Sequence, residues 1–242
     1  MSPSPLEVPI FGPDSGPAAV LNGAGRLELN RAGSYDEGGL TPTLSELETL
    51  LSLLTALPSA PRPPIRVMIR PRGPPSSLRP DFIYTPSELL TMLRDIKDFA
   101  SSGLLDPSKG DGFVLGVLRS ISGPHGSGEK VGIDVLMNRM LMELVKGFDV
   151  PFVCVLHRAV DRVLRFAFAG DGDGSRKVGE VWKQVLEAGF DAVLTSGGPG
   201  NAMENIKGLR EVLAAARAEK SAGNGNGRGW RWLLEEGCGG RM

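Results

Sequence analysis

The chain has 242 residues, 41% of them hydrophobic, so it can bury one sizeable core; its length suits one α/β barrel or two small domains. Its 27 basic and 28 acidic residues leave a formal net charge of -1, without the basic footprint that draws a protein onto nucleic acid or an anionic membrane. No window reaches the roughly 18 apolar residues of a membrane-spanning helix. Met1-Ser2-Pro3-Ser4-Pro5 has no basic run followed by an apolar one, and Cys154 and Cys238 lack CxxC spacing, so a cytoplasmic protein with reduced thiols is expected.

Short runs rich in Val, Ile, Leu and Phe alternate with segments of helical period. Leu6 to Ile10 and Arg26 to Asn30 read as the first two strands. Thr41-Pro42 then places a cap before a proline at the first helical position, and Leu44, Leu47, Leu51 and Leu54 supply that helix with an apolar stripe. Ile65 to Arg70 is the third strand, and Thr85-Pro86-Ser87-Glu88 has the spacing of a capping box. Gly112 to Leu118 and Pro151 to His157 are the next strands. Val178, Val181, Trp182 and Val185 form a second stripe that stops at Gly189, and Asp191 to Thr195 is a strand. Asn201 with Glu204 opens a further helix, and Trp230 to Glu235 is the seventh strand.

Regular strand and helix alternation predicts one α/β domain over residues 1–242, either a TIM-like (β/α) barrel or an open doubly wound sheet. Ser120 to Lys130, Gly170 to Arg176 and Ser221 to Gly229 read as exposed, flexible loops within it, spanning 120–130, 170–176 and 221–229.

Successive strand side chains point to opposite faces, so Leu27 and Leu29 meet the helices while Arg26, Glu28 and Asn30 turn to the interior. Glu7 is placed similarly in the first strand. In the third, Val67 and Ile69 face outward and Met68 and Arg70 inward, with Arg72 beyond them at the carboxyl end, where parallel α/β folds bind ligands. Charge in the interior is costly unless it pairs or serves a ligand, so a structural ion-pair network and a ligand site are both open readings.

In the fifth strand Cys154 and His157 fall on opposite faces. Cys154 then reads as a small buried hydrophobe, and His157 as a candidate for binding or proton transfer. Gly38-Gly39, Thr195-Ser196-Gly197-Gly198 and Gly237-Cys238-Gly239-Gly240 could each turn backbone N–H groups toward an anion, although glycine also simply makes turns. His125, in Gly123-Pro124-His125-Gly126, reads as a surface residue.

These strand-end sequences resemble the CutC copper-homeostasis family. The matching pieces run in order through Leu6-Glu7-Val8, Arg26-Leu27-Glu28-Leu29, Glu37-Gly38-Gly39-Leu40-Thr41-Pro42, Met68-Ile69-Arg70-Pro71-Arg72-Gly73, Gly112-Phe113-Val114-Leu115-Gly116, His157-Arg158-Ala159-Val160-Asp161 and Leu194-Thr195-Ser196-Gly197. The resemblance implies a TIM-like barrel, cytoplasmic residence and a role in copper homeostasis, with copper binding or trafficking as the activity. Carried over by position, it marks Glu7, Arg26, Glu28, Arg70, Arg72, His157, Arg158, Asp161, Thr195 and Ser196 as recurrent polar residues.

Family members commonly carry cysteines where this chain has Pro9 and Asn30, which leaves Met68 and His157 as the weaker donors for a soft metal such as Cu(I). The family pattern continues to an eighth strand, whereas this sequence reaches Glu235 to Met242 after the seventh. A barrel truncated there would expose two strand edges, and homo-oligomer formation through the gap is one expectation. Three functions follow: copper homeostasis through metal binding; an enzyme or binder acting on a small anionic molecule held by Arg70, Arg72 and Thr195-Ser196-Gly197, with Glu28 or His157 as general base; or a degenerate relative that keeps the fold alone.

Overall fold

The structure, a computed structural model, describes residues 5–58, 62–74, 80–121, 130–168, 174–221 and 231–234. His125, Cys238, the Gly237–Gly240 tract and most of the three expected loops lie outside the described residues. In chain order the elements are β1 (Glu7–Phe11), α1 (Gly16–Leu21), β2 (Arg26–Asn30), α2 (Leu44–Thr55), β3 (Ile65–Met68), α3 (Pro86–Ser101), β4 (Gly112–Leu115), β5 (Leu118–Ile121) and β6 (Lys130–Ile133). They continue with α4 (Val135–Lys146), β7 (Val153–Leu156), α5 (Ala159–Phe168), α6 (Gly174–Ala188), β8 (Ala192–Thr195), α7 (Ile206–Ser221) and β9 (Arg231–Leu234). The chain forms two compact units, residues 1–115 with 141–155, and residues 116–140 with 156–242.

In the first unit β1, β2, β3 and β4 pair in parallel, with Glu7 opposite Arg26, Pro9 opposite Glu28, and Glu28 opposite Arg66. The Val153 amide continues the ladder by donating to the Asp111 carbonyl. Leu27, Leu29, Ile65, Val67, Ile69 and Phe113 are completely buried. The outward leucines of β2 are therefore core residues, as alternation requires, and the Cys154 side chain is completely buried as well.

Helix α3 starts on the capping box read from the sequence: Thr85 accepts from the Glu88 amide and the Glu88 carboxylate accepts from the Thr85 amide. The start of α2 differs from expectation. Its cap is Thr43, in a second capping box with Glu46, and Thr41 lies before it. Thr41 is unavailable as a cap because its hydroxyl accepts from the Arg70 amide at 2.9 Å while its own amide donates to the Arg70 carbonyl. Along α2, Leu47, Leu50 and Leu54 are buried, whereas Leu44 is exposed and Leu51 only half-buried.

At the amino end of these strands the fully buried Asp111 receives Arg62 through two contacts of 2.9 and 2.5 Å, and accepts from the Ile65 and Asp106 amides. One carboxylate thus fixes the entry to both β3 and β4.

The expected long strand Gly112 to Leu118 is broken where the second unit begins. After β4 the chain passes Gly116, where a β-carbon would collide with Leu156 and His157, and resumes as β5. β5 pairs antiparallel with β6, so the ends of the expected 120–130 loop are the arms of a hairpin. At the break, the buried Asn138 amide takes the place of a neighbouring strand: its Oδ1 accepts from the Val117 amide and its Nδ2 donates to the Val117 carbonyl. Val178, Val181, Trp182 and Val185 are all buried along α6, which ends before Gly189 at φ 91°. β8 pairs in parallel with β9. Asn201 and Glu204 exchange the reciprocal bonds of a capping box, but a turn follows and α7 itself begins at Ile206.

Two predictions follow. Asp111→Ala strands Arg62 and two amides, and urea unfolding should show a loss of about 3 kcal/mol, the range for breaking a buried ion pair. For Glu46, burial pushes its carboxyl up, but bonds from the Thr43 and Ala32 amides and the Thr43 hydroxyl, with Arg31 nearby, outweigh it and leave the pKa lowered. Glu88 is lowered likewise, burial being outweighed by Thr85 and Arg72. A depressed folded-state pKa contributes stability above the unfolded value and loses it as pH falls through the folded one, so the contribution fades below about pH 4.3. Between pH 7 and pH 3, Glu46→Gln/Glu88→Gln should lose less urea resistance than the parent.

Candidate functional site

Strand alternation gathers the polar residues of the first unit in successive layers. At the amino end of β1 and β2, Glu7 accepts from Arg26 Nη1 at 2.8 Å, and both are almost fully buried. One step further along, Asn30 Nδ2 donates to Glu28 Oε1 at 3.0 Å. Asn30 Oδ1 has no hydrogen-bond partner; it faces the α-carbon of Gly39, where a β-carbon would clash with it and where φ is 87°. Glycine is required there both for the left-handed turn and for the close approach.

Arg66, also inward on β3, completes the group and is not among the residues singled out from sequence. It is 2% exposed, its Nη1 donates to the Gly110 carbonyl and its Nε has no partner. Burial pushes its pKa down to about 10; Glu7 opposes that shift and Arg26 reinforces it. The available signal was its place two residues before Met68 and four before Arg70 on the same strand face.

At the carboxyl end, Arg70 is buried at 3% exposure. Its Nη1 donates to the Glu37 and Gly39 carbonyls at 2.6 and 3.1 Å, and its Nη2 lies 3.2 Å from both oxygens of Asp81. Its Nε has no hydrogen-bond partner among the described residues, and its guanidinium lies 4.9 Å from the Phe82 ring centroid. Arg72 donates to Glu88 and to the Ile83 carbonyl, both at 2.7 Å, and stacks over Tyr84. The segment Asp81 to Tyr84 is thus drawn onto both arginines. Sequence reading missed it, because no periodicity marks a loop carboxylate.

Phe82 has φ 65°, and among the described residues it is the one non-glycine residue with positive φ. A bulky side chain in that region costs roughly 1–3 kcal/mol and persists only where its surroundings impose it. Tyr84 is buried, and its hydroxyl has no hydrogen-bond partner of ordinary geometry among the described residues, while Arg70 interacts with it more loosely. Burial pushes its phenol far above the usual range.

The second unit carries the other candidates. Asp161, in the first turn of α5, accepts at Oδ1 from the Thr195 hydroxyl. At Oδ2 it accepts from the Ser196 amide at 3.1 Å, the Ser196 hydroxyl at 2.7 Å and Arg158 Nε at 3.2 Å. Arg158 Nη2 also donates to Ser196 Oγ and to the Gly200 carbonyl. The Gly197 amide donates back to the Thr195 hydroxyl, and a β-carbon at Gly197 would strike Leu209 and the Asn205 carbonyl. These residues fasten the end of β8 to the start of α5.

His157, buried directly after β7, accepts from the Ala159 amide at Nδ1. That bond assigns the proton of the neutral ring to Nε2 and occupies the lone pair through which Nδ1 would hold a metal. Met68 is buried within β3. Among the described residues there is no group of three or more His, Cys, Asp or Glu side chains able to hold a metal ion. With Pro9 and Asn30 at the positions where family members commonly carry cysteines, the inward polar groups of β1 and β2 are the oxygens of Glu7, Glu28 and Asn30 and the N–H groups of Arg26. They do not suit a soft cation.

The family model of the CutC family matches residues 5–228. The chain belongs to the CutC family. Among its CutC relatives, a CutC protein of Bacteroides fragilis (strain YCH46) is 34% identical over 199 residues, which is 82% of this chain and 61% of that protein. The chain therefore spans about three fifths of the length of that relative. A CutC protein of Sinorhizobium medicae (strain WSM419) is 32% identical over 222 residues, 92% of this chain and 71% of the relative. The crystal structure of CutC from Streptococcus agalactiae, assigned there to copper homeostasis, aligns with a TM-score of 0.62 at 22% identity, covering 88% of this chain and 84% of that one. That likeness establishes the fold: α/β, a curled parallel sheet flanked by helices, a TIM-like barrel in incomplete form among the described residues. No described helix is long and apolar enough to cross a membrane.

The Asp161 cluster yields a further prediction. In Asp161→Asn an amide replaces an oxygen that three donors share, so at least one buried donor loses its acceptor. Denaturant titration should show a loss of about 2 kcal/mol, within the range for one unsatisfied buried group.

Proposed function

We propose that this CutC-family chain serves copper homeostasis in the cytoplasm as a binder of a small anionic molecule rather than as a direct ligand of copper. The observation that carries this reading is Arg70. It is a buried guanidinium at the carboxyl end of β3, held rigidly by the Glu37 and Gly39 carbonyls, with a donor still unengaged at Nε. A rigid, partly engaged arginine at a strand's carboxyl end is suited to a carboxylate or phosphate, and the cost of ordering it has been met before the ligand arrives. Arg72 beside it is engaged by Glu88 and Ile83 and supports the position of its neighbour.

Copper enters this reading through the role assigned to the Streptococcus agalactiae relative. The donor chemistry of Met68 and His157 argues against ligation by the described residues. Glu28 and His157, the candidate bases, are both buried and hydrogen-bonded. The reading is one of binding and assigns neither of them a reaction step.

Calorimetric titration with succinate and with inorganic phosphate tests the anion reading, and anaerobic Cu(I) titration tests the copper one. Saturable anion binding should weaken at least tenfold in Arg70→Lys, which keeps the charge but loses the planar fork. Cu(I) uptake should be the same in the parent and in His157→Ala. Undiminished anion binding in Arg70→Lys, or Cu(I) binding that depends on His157, would overturn the assignment.

A further inference from the structure

Arg70 is only half used by its partner. In a guanidinium, the Nε and Nη2 hydrogens point to the same side and form the fork that a carboxylate grips with both oxygens. Asp81 does not grip it in that way. Both of its oxygens converge on Nη2 at 3.2 Å, longer than the usual charge-assisted contact of about 2.7–2.9 Å, and Nε is left without a partner. The Tyr84 hydroxyl, also buried and without a hydrogen-bond partner of ordinary geometry among the described residues, interacts more loosely with the same arginine. An Arg70 Nε without a hydrogen-bond partner among the described residues, the Tyr84 hydroxyl and a poorly used fork are therefore gathered at the segment Asp81 to Tyr84.

That segment also holds the chain's one positive-φ side chain among the described residues, Phe82. The Phe82 amide donates to Asp81 Oδ1 at 3.0 Å, and its ring covers the Arg70 guanidinium. The strained conformation at Phe82 thus directly follows the acidic partner of the loose ion pair, Asp81. Movement of Asp81 away from Arg70 would free the fork and allow Phe82 to leave the left-handed region.

We propose that the Nε/Nη2 edge of Arg70, together with the Tyr84 hydroxyl, is a receptor for the carboxylate of a small ligand, and that Asp81 is an internal carboxylate that occupies it until the ligand displaces it. Asp81 is a self-inhibitory stand-in, and Asp81 with Phe82 forms the cover. The ligand is taken as a carboxylate because the fork is planar and the group now resting on it is itself a carboxylate. The inference rests on the anion-binding reading above and adds to it the ligand class and the gate.

The test uses the 15N–1H resonance of Arg70 Nε, identified by its loss in Arg70→Lys, during titration of the full chain with succinate and, separately, inorganic phosphate. Removing the internal competitor in Asp81→Asn should tighten succinate binding at least fivefold, and Asp81→Ser should do the same if the asparagine variant folds poorly. Adding Tyr84→Phe to either variant should cancel most of that gain. If the parent binds succinate through Arg70 but neither Asp81 variant binds it more tightly, the gate is wrong and the anion-binding reading stands. If neither the parent nor the Asp81 variants shift the Nε resonance, both fail. Phosphate binding tighter than succinate binding in the Asp81 variants would overturn the carboxylate assignment.

Discussion

The pairing of inward charges between neighbouring parallel strands is the constraint on which the first unit depends. Parallel register sets Glu7 beside Arg26 and Glu28 beside Arg66, all turned away from the leucine face. A buried ion left without its partner costs several kcal/mol, so the register is held from the interior by charge and from the helix side by Leu27 and Leu29. A slip of one residue would expose the leucines to the charged layer and drive Arg26 and Glu28 into the hydrocarbon of the opposite face. Sheet, register and core are therefore one specification.

Pro9 shows how far the same geometry reaches. In β1 the residues that bond β2 are even-numbered: the Leu6 carbonyl accepts from the Arg26 amide, and the Gly12 amide donates to the Asn30 carbonyl. Glu7, Pro9 and Phe11 consequently turn their backbone groups to the other edge, which pairs with no strand among the described residues. Proline at the middle of that edge removes a donor from the row that an added strand would need. It also removes the thiolate expected at that position from the family pattern. The association through an open edge that was expected from the sequence is thus opposed by the residue that weakens the case for copper.

Legibility from sequence followed the range of the interaction. The capping box Thr85-Pro86-Ser87-Glu88 is complete within four residues, and it forms as read. The polar and apolar faces of Arg26 to Asn30 need only strand alternation, and they too hold. Thr41-Pro42 fails as a cap because Arg70, far along the chain, claims the Thr41 hydroxyl. The hairpin arms β5 and β6 were hidden because Gly116 interrupts the apolar run for a packing reason, its contact with Leu156 and His157, which no local pattern carries. Arg70, Arg158, Asp161, Thr195 and Ser196 were marked by the resemblance as recurrent polar residues. What they bond, above all Asp81 on Arg70 and the sharing of Asp161 between Thr195 and Ser196, is tertiary information.

Saturation separates the polar residues that hold the fold from those with capacity left for a ligand. Asp161 accepts from four donor groups, and Asp111 is similarly filled by Arg62 and two amides. A ligand competing for either would have to replace bonds that already cancel the cost of burial. Arg66 has a spare Nε, but Glu7 and Glu28 share its face of the sheet, and an anion brought there would meet like charge. Arg70 combines rigid anchoring, an unengaged donor and an acidic neighbour on a strained loop outside the strand. The same burial that makes charge expensive inside the sheet makes its last unengaged donor worth most to a ligand that can reach it.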